Sequence, residues 1–167
     1  GNLSVSGTIP QNTTYLVKAS GTVTVGNLRY NTGSYDHIGA IPKVIIYAPN
    51  INIACGTSEV DAILITAPGG HVDTCAGGGD ENDPARSVQL KIFGTVMADS
   101  ITLGRTYGAA ANETGSRTDP YGTPSDGAAA EIFDYDSTIL MWSEFMSGSG
   151  ESDTLNTTYQ HELAPRY

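Results

Sequence analysis

Two cysteines are the residues of this chain whose type and spacing most directly suggest chemistry. Cys55 and Cys75 stand twenty positions apart, and each ends a short segment in which apolar and polar residues alternate. If the two segments lie as neighbouring strands, the cysteines hold equivalent positions and are close enough to form a disulfide. Reduced thiols, or a nucleophilic cysteine with His71 as its base, are the alternatives. We favour the disulfide, which belongs to an oxidising compartment.

The densest group of oxygen ligands follows a run of glycines. Asp80, Glu81 and Asp83 fall within four residues, with Asn82 between them. Calcium takes about six to eight oxygen ligands, and a glycine-hinged acidic loop can supply several of them. The spacing does not match an EF-hand loop, and a solvated acidic loop without metal is the alternative. The pattern thus suggests one cofactor, a divalent cation, calcium before magnesium, at these carboxylates.

A second acidic group lies near aromatic residues towards the C-terminus. It consists of Glu131, Asp134 and Asp136, and a carboxylate pair there could perform glycoside hydrolysis. Capping segments of β folds often carry similar groups, which is the structural alternative. The chain has no Gly-x-Ser-x-Gly nucleophile elbow, and its cysteines and histidines lack the spacing of a zinc site. We therefore expect no catalytic residues and no enzyme activity.

The charge balance argues against several classes of partner. The chain has 18 acidic and 8 basic residues, for a formal net charge of −10. Nucleic acids and anionic membranes need clustered Lys and Arg, so neither is expected as a partner. No stretch approaches the roughly 18 to 20 apolar residues of a membrane-spanning helix. Gly, Thr, Ser and Asn are plentiful, which favours β structure over helix.

A strand–turn–strand pattern recurs along the chain, at 15–25, 44–54, 62–74 and 88–103. Ile46 and Leu64 hold equivalent positions in two copies, and Leu90 holds that position in the next copy, after an insertion. Short strands at a period of about 18 to 20 residues are typical of a β-solenoid, whose stacked turns bury continuous apolar rows. We expect a single all-β domain over 1–167, a short β-solenoid or single-stranded β-helix, with an antiparallel β-sandwich as the alternative.

Three long loops and a distinct C-terminal segment interrupt this pattern. The loops are predicted at 27–41, 76–87 and 107–130, where Gly, Asp, Asn and Pro favour turns and resist burial. The stretch 128–146 contains the only tryptophan, and its spacing does not decide between helix and strand. We expect this stretch to cap the solenoid, whose end would otherwise expose core and strand edges.

Several segments from Lys43 onward carry a family resemblance: 44–55, 60–65, 72–75, 94–98, 103–109, 130–133 and 162–167. They resemble the C-terminal β-solenoid domains of uncharacterised, adhesin-like proteins exported to bacterial cell surfaces. The first forty residues lie outside the resemblance. What it implies is a cell-surface location and a Cys55–Cys75 pair, with no catalytic motif to carry over.

These observations together predict an extracellular, non-catalytic domain for surface display or adhesion on a bacterial cell-surface protein. Its expected partners are a surface glycan or protein ligand, or neighbouring copies in a surface assembly. A structural module of a surface filament or stalk is one alternative, and a carbohydrate-active enzyme of the β-helix type is another. The enzyme requires paired carboxylates that converge in a groove flanked by aromatic residues.

Overall fold

The computed structural model describes residues 1–31, 35, 38–78, 83–105 and 129–135. Within these ranges the chain is all-β, as the sequence predicted. Two short 3-10 helices, Ile38–Ala40 and Pro84–Ser87, lie between strands. The strands are β1 (Leu3–Ile9), β2 (Thr14–Lys18), β3 (Thr22–Tyr30), β4 (Lys43–Ala54), β5 (Glu59–Ala76), β6 (Leu90–Met97), β7 (Ser100–Thr102) and β8 (Glu131–Asp134).

All strand pairings in the described residues are parallel, and they fall into three ladders within one eight-stranded sheet. Ladder A joins β2 to the first half of β4, the middle of β5 and the second half of β6. Ladder B joins the first halves of β1 and β3 to the second half of β4, the last part of β5, and β7. Ladder C joins the second halves of β1 and β3 to the start of β5, the first half of β6, and β8.

The chain visits the three ladders in one repeating order. From β1 it passes through B and C, then A, B and C again, and the final described strand, β8, lies on C. We call one passage through A, B and C a circuit. Each circuit therefore lies beside the one before it, so neighbours in space come from successive circuits. The antiparallel β-sandwich considered from the sequence is wrong for the described residues, because its strands would pair in the opposite sense.

The core consists of apolar rows that run across the circuits. On ladder B the row is Leu3, Val23, Ile51, Val72 and Ile101. Its three middle members are fully buried, whereas Leu3 and Ile101 at its two ends are 44% and 43% exposed. Burial of each such side chain contributes about 1.5 to 3 kcal/mol, so the middle circuits supply most of this stabilisation. Truncation of Ile51 to alanine would cost about 2 to 5 kcal/mol.

Glycine residues at two corners let neighbouring circuits approach one another closely. Gly94 has φ +154 where β6 passes from ladder C to ladder A, and a Cβ there would collide with the carbonyl oxygen of Ala62. Gly70 lies at the A–B corner, where a Cβ would collide with the carbonyl oxygen of Pro49. Glycine at these two positions therefore keeps the circuits in hydrogen-bonding register.

The predicted repeat is confirmed over one interval and wrong over the next. Ile46 pairs with Leu64, as expected, and β2 with β3 reproduces the predicted strand–turn–strand of 15–25. Leu64, however, pairs with Val96, while Leu90 lies on ladder C opposite Glu131. The error arose because each circuit visits three ladders and not two, and alternating apolar residues look the same on every ladder.

The loop boundaries also differ from the prediction. Strand β3 continues to Tyr30, so the first connection begins later than residue 27, and it contains the 3-10 helix Ile38–Ala40. Strand β5 continues to Ala76, and the predicted loop 76–87 ends in the 3-10 helix Pro84–Ser87. Of the predicted loop 107–130, only residues 129 and 130 are described. Within the expected capping stretch, β8 is a strand that extends ladder C, and residues 136–146 lie outside the described ranges.

Candidate functional site

We call the place where the chain passes from ladder B to ladder C the B–C corner. The number of residues that connect the two ladders at this corner increases from the β3 circuit onward. In the β3 circuit only Gly26 and Asn27 separate the paired residues Val25 and Leu28. The next circuit connects β4 to β5 through residues 55–58, and the two circuits after that use residues 77–89 and 103–130. The two longest of these connections thus join ladder B to ladder C at the same corner on consecutive circuits.

The predicted disulfide lies at the base of this corner. Cys55 and Cys75 are bonded to one another, and each is 5% exposed. Cys55 follows the last residue of β4, and Cys75 is the last residue but one of β5, so the bridge joins the ends of neighbouring strands, as predicted. The predicted equivalence of the two positions is wrong, because Asn52 pairs with Asp73 and Ala54 with Ala76 across a register shift. The alternative of a nucleophilic cysteine is wrong for this structure, because both cysteines of the chain are in the bond.

The first residues of both long connections pack on the disulfide. A Cβ at Gly78 would lie 2.8 and 2.9 Å from the two sulfur atoms of Cys55 and Cys75. A Cβ at Gly104 would lie 2.7 Å from the Cβ of Cys75. These distances are shorter than ordinary contacts of a carbon atom with sulfur or with another carbon atom, so a larger residue at either position would require the disulfide or its neighbours to shift.

A buried arginine cross-links the same corner. Arg105 is 8% exposed, and its guanidinium donates hydrogen bonds to four backbone carbonyl oxygens. The acceptors are Thr57 at 2.6 Å, Thr74 at 2.8 Å, Ala54 at 3.0 Å and Val88 at 3.1 Å. Ala54 and Thr74 belong to strands β4 and β5, whereas Thr57 and Val88 lie in the connections that follow these two strands. The planar, multiply donating guanidinium bridges all four at once.

The charge of Arg105 is retained despite its burial. Desolvation lowers the pKa of Arg105 to about 10, against the opposing attraction of Glu131 and Asp73. The side chain is therefore cationic at neutral pH, and its hydrogen bonds are charge-assisted. Bonds of this kind are roughly twice as strong as those between neutral groups.

Glu131, one of the carboxylates considered for glycoside hydrolysis, is bound into this network. Its Oε1 accepts hydrogen bonds from the backbone N–H of Arg105 at 3.0 Å and from the hydroxyl of Thr74 at 2.8 Å. The Thr74 hydroxyl oxygen in turn accepts the N–H of Gly104 at 3.0 Å. These contacts tie the first residue of β8 to the start of the long connection that precedes it.

Asp134, the other described member of that acidic group, does not join Glu131. Asp134 lies on β8 three residues later, and residues at odd separation in a strand point to opposite faces. Asp136 lies outside the described residues. In the part of the chain that the structure describes, no pair of carboxylates from this group converges on a groove.

The proposed calcium ligands are described only in part. Asp83 precedes the 3-10 helix Pro84–Ser87, and its Oδ1 accepts the N–H of Ala85 at 2.9 Å, as a helix-capping aspartate does. Asp80 and Glu81 lie outside the described residues, so the calcium site stays a prediction. Among the described residues, no three His, Cys, Asp or Glu side chains are grouped as a metal site would require.

Residues 77–89 and 103–130 also meet one another near the base. The guanidinium of Arg86 donates to the carbonyl of Gly104 at 2.9 Å, and the amide of Gln89 donates to the carbonyl of Ala129 at 2.8 Å. The ends of the second connection are thus held against the first. The sequence did not predict these contacts of Arg86, Gln89 and Arg105. Their partners are backbone carbonyl oxygens, which every residue carries, so no pattern of residue types identifies them.

Comparisons with known proteins returned no match. A scan of protein-family models, a search of curated proteins and a search of solved structures each found none for this chain. Among the described residues, no helix has both the length and the apolar character needed to cross a bilayer.

Proposed function

We propose that this chain is an extracellular β-solenoid domain of a bacterial cell-surface protein, and that it displays a non-catalytic recognition surface at the B–C corner. The observation that carries the proposal is that both long connections, 77–89 and 103–130, join ladder B to ladder C at one corner. Binding residues are often carried on loops that a rigid scaffold positions.

The solenoid interpretation is supported by the fixed order in which the chain visits ladders A, B and C. Apolar rows that are buried in the middle circuits and exposed at the ends are expected of a stack that could extend in either direction. The parallel sense of every described pairing also agrees with successive coils of one chain.

An oxidising location is supported by the Cys55–Cys75 disulfide, since such bonds are rare in reducing compartments. The net charge of −10 suits a solvent-exposed surface and disfavours polyanionic partners. A surface glycan or a protein ligand is therefore the partner class that we propose for the corner.

A non-catalytic role is supported by how the polar residues of the corner are used. Glu131 and Arg105 bind backbone groups and Thr74, so their side chains serve the base of the corner rather than a substrate. The carbohydrate-active enzyme receives no comparable support, because Glu131 and Asp134 point to opposite faces of β8.

The test is a binding assay on arrays of glycans and of extracellular matrix proteins. We compare the native chain with a variant in which residues 107–128 are replaced by a short Gly/Ser linker, so that Arg105 and Glu131 remain. The matched control is Leu16→Ser, an exposed substitution on ladder A, and circular dichroism checks that all three proteins fold. Ligands that bind the native chain and the control should not bind the loop variant.

Two results would overturn this proposal. Undiminished binding by the loop variant would show that the recognition surface does not lie at the B–C corner. Time-dependent cleavage of an arrayed glycan would show that the chain is a carbohydrate-active enzyme and not a display domain.

A structural module of a filament or stalk is the second candidate, and one observation favours it. The end members of the ladder B row, Leu3 and Ile101, are exposed, and the described part of the chain places no further strand beside either of them. Exposed apolar ends of a stack are places where another module can add. Sedimentation velocity over a hundredfold range of concentration tests this candidate, which predicts species larger than the monomer.

A further inference from the structure

Ladder A is one strand shorter than ladders B and C at the N-terminal end of the stack. Strand β1 adds a first strand to ladders B and C, beyond β3. On ladder A, β2 pairs with β4, and the described residues provide no strand on its other side. The sheet is therefore stepped at this end, with an open place beside β1 and next to β2.

A groove of about 320 Å³ occupies this open place. Its lining includes Val5 and Ile9 of β1, Tyr15 and Val17 of β2, and Val44 of β4. None of the described residues that line it carries a charged side chain. Ser4, Ser6 and Thr8 line it as well, so the groove is uncharged and presents valine and isoleucine side chains beside hydroxyl groups. Such a lining suits an uncharged, partly apolar polypeptide segment better than an ion.

The floor of the groove is the uncovered end of the core. Tyr15 pairs with Val44 and Val17 pairs with Ile46, and both partners are buried core residues. Because paired residues on parallel strands point to the same face, Tyr15 and Val17 continue these inward-facing rows. Tyr15 is nevertheless 47% exposed, since the row ends there.

The position of Gly1 shows how a strand could enter the groove. The amino group of Gly1 donates to the hydroxyl of Ser20 at 2.6 Å, and the side-chain oxygen of Asn2 accepts the N–H of Thr22 at 3.0 Å. Ser20 and Thr22 flank the A–B corner between β2 and β3. Gly1 therefore lies over the point where a strand on ladder A turns onto ladder B.

The sequence repeats across this corner in the same register. Leu3 pairs with Val23 and Val5 with Val25, so residues 1–5 lie over residues 21–25. Both stretches begin with glycine and then place apolar residues at the third and fifth positions. In the second stretch the preceding residues form β2, and the equivalent place before Gly1 is the groove.

We propose that the groove is an acceptor site for one extended polypeptide segment that runs directly into Gly1. The segment lies parallel to β2, binds its free backbone edge and places apolar side chains over Tyr15 and Val17. Strand addition of this kind derives affinity from main-chain hydrogen bonds and specificity from alternate side chains. This inference depends on the order of the ladders, and it holds whether or not the B–C corner binds a ligand.

The test is an extended form of the full chain. Residues 14–20 are copied directly in front of Gly1, which places the copy in register with β2. A matched control carries the same extension with aspartate at the two positions that copy Tyr15 and Val17. We expect the first extension to raise Tm by about 3 °C or more, the size of shift that about 1 kcal/mol produces in a chain of this length, and the control to leave it unchanged.

A second measurement locates the effect. Hydrogen exchange of the amides in Thr14–Lys18 should slow in the extended chain, and Tyr15→Ser should reduce the gain in Tm that the extension produces. Equal gains from both extensions, or no added protection of these amides, would overturn the proposal. A concentration-dependent dimer of the unextended chain that the extension abolishes would instead assign the groove to a second copy. All of these readouts are independent of glycan or protein binding at the B–C corner.

Discussion

The backbone N–H of Arg105 binds the carboxylate of Glu131 at 3.0 Å, across 26 residues of sequence. Arg105 is the third residue of the longest connection at the B–C corner, 103–130, and Glu131 follows that connection as the first residue of β8. The guanidinium of the same arginine also binds the carbonyls of Ala54, at the end of β4, and of Thr57, in the connection that follows β4. A single residue thereby joins the ends of the connection to the stack, and this relationship leads to the first prediction.

Arg105→Ala should lower the free energy of unfolding by about 3 kcal/mol or more. The substitution leaves several buried carbonyl oxygens without donors, and each such group costs about 1 to 3 kcal/mol. The matched control is Arg29→Ala, which removes a half-exposed ion pair with Glu59. That pair should contribute only about 0 to 1 kcal/mol. Urea denaturation of the three proteins measures the difference, and equal losses would contradict the role of Arg105.

The pH dependence of stability should separate arginine from lysine at position 105. The pKa of Arg105 is lowered to about 10, so the folded chain loses this proton at a lower pH than the unfolded chain does. Its contribution to stability therefore rises with pH only above about pH 10, and it is constant between about pH 6 and 9. Arg105→Lys places a more weakly basic group in the same buried position, and burial lowers the pKa of a lysine.

For Arg105→Lys we therefore expect the free energy of unfolding to rise with pH within the range from about 7 to 10, because the neutral amine is easier to bury. Arg105→Met provides the control without a titratable group. Urea denaturation at four pH values measures all three proteins relative to one another. A lysine variant whose profile parallels that of the methionine variant would contradict burial of position 105.

The disulfide should be complete in the native protein and should stabilise it. Denatured but never-reduced protein should give no reaction with a thiol reagent, because Cys55 and Cys75 are bonded. Reduction, or the double substitution Cys55→Ser/Cys75→Ser, should cost about 3 kcal/mol, since the bond closes a loop of about twenty residues in the unfolded chain. Two reactive thiols in never-reduced protein would contradict both the bond and the argument for an oxidising compartment.

Gly78→Ala should destabilise the chain by about 1 to 3 kcal/mol, because its Cβ would press on both sulfur atoms of the bridge. Gly56→Ala is the matched control, since a Cβ at Gly56 meets nothing within 4 Å. Thermal unfolding of the two variants measures the difference. Equal midpoints would show that residues after β5 do not pack against the disulfide.

Calcium should raise Tm if Asp80, Glu81 and Asp83 bind it. A ligand that binds only the folded chain stabilises it by about 2.7 kcal/mol at a hundredfold excess over Kd. Asp80→Asn/Asp83→Asn should remove the effect, and the new amide oxygen at position 83 can still accept the N–H of Ala85 that Asp83 accepts now. The measurement compares millimolar calcium with chelator for both proteins. If Tm is the same with calcium and with chelator for both proteins, the loop binds no calcium and is only a solvated acidic loop.

Local sequence patterns determined the β class, most strand positions and the disulfide. Alternating apolar residues predict strands because successive side chains in a strand point to opposite faces. The equivalence of Ile46 with Leu64, and of the segments before Cys55 and Cys75, followed from the same alternation. These features depend on residues close in sequence, or on the simple spacing of one circuit.

Only the tertiary structure decided which ladder each strand joins. Leu64 pairs with Val96, and Leu90 lies opposite Glu131, although an alternating apolar pattern surrounds both leucines. Arg105 escaped prediction for a related physical reason: its guanidinium binds backbone carbonyls, which every residue carries. A pattern of residue types records which side chains face inward or outward. The order in which strands pair, and the carbonyls that converge on one arginine, are set only by contacts between residues that are distant in sequence.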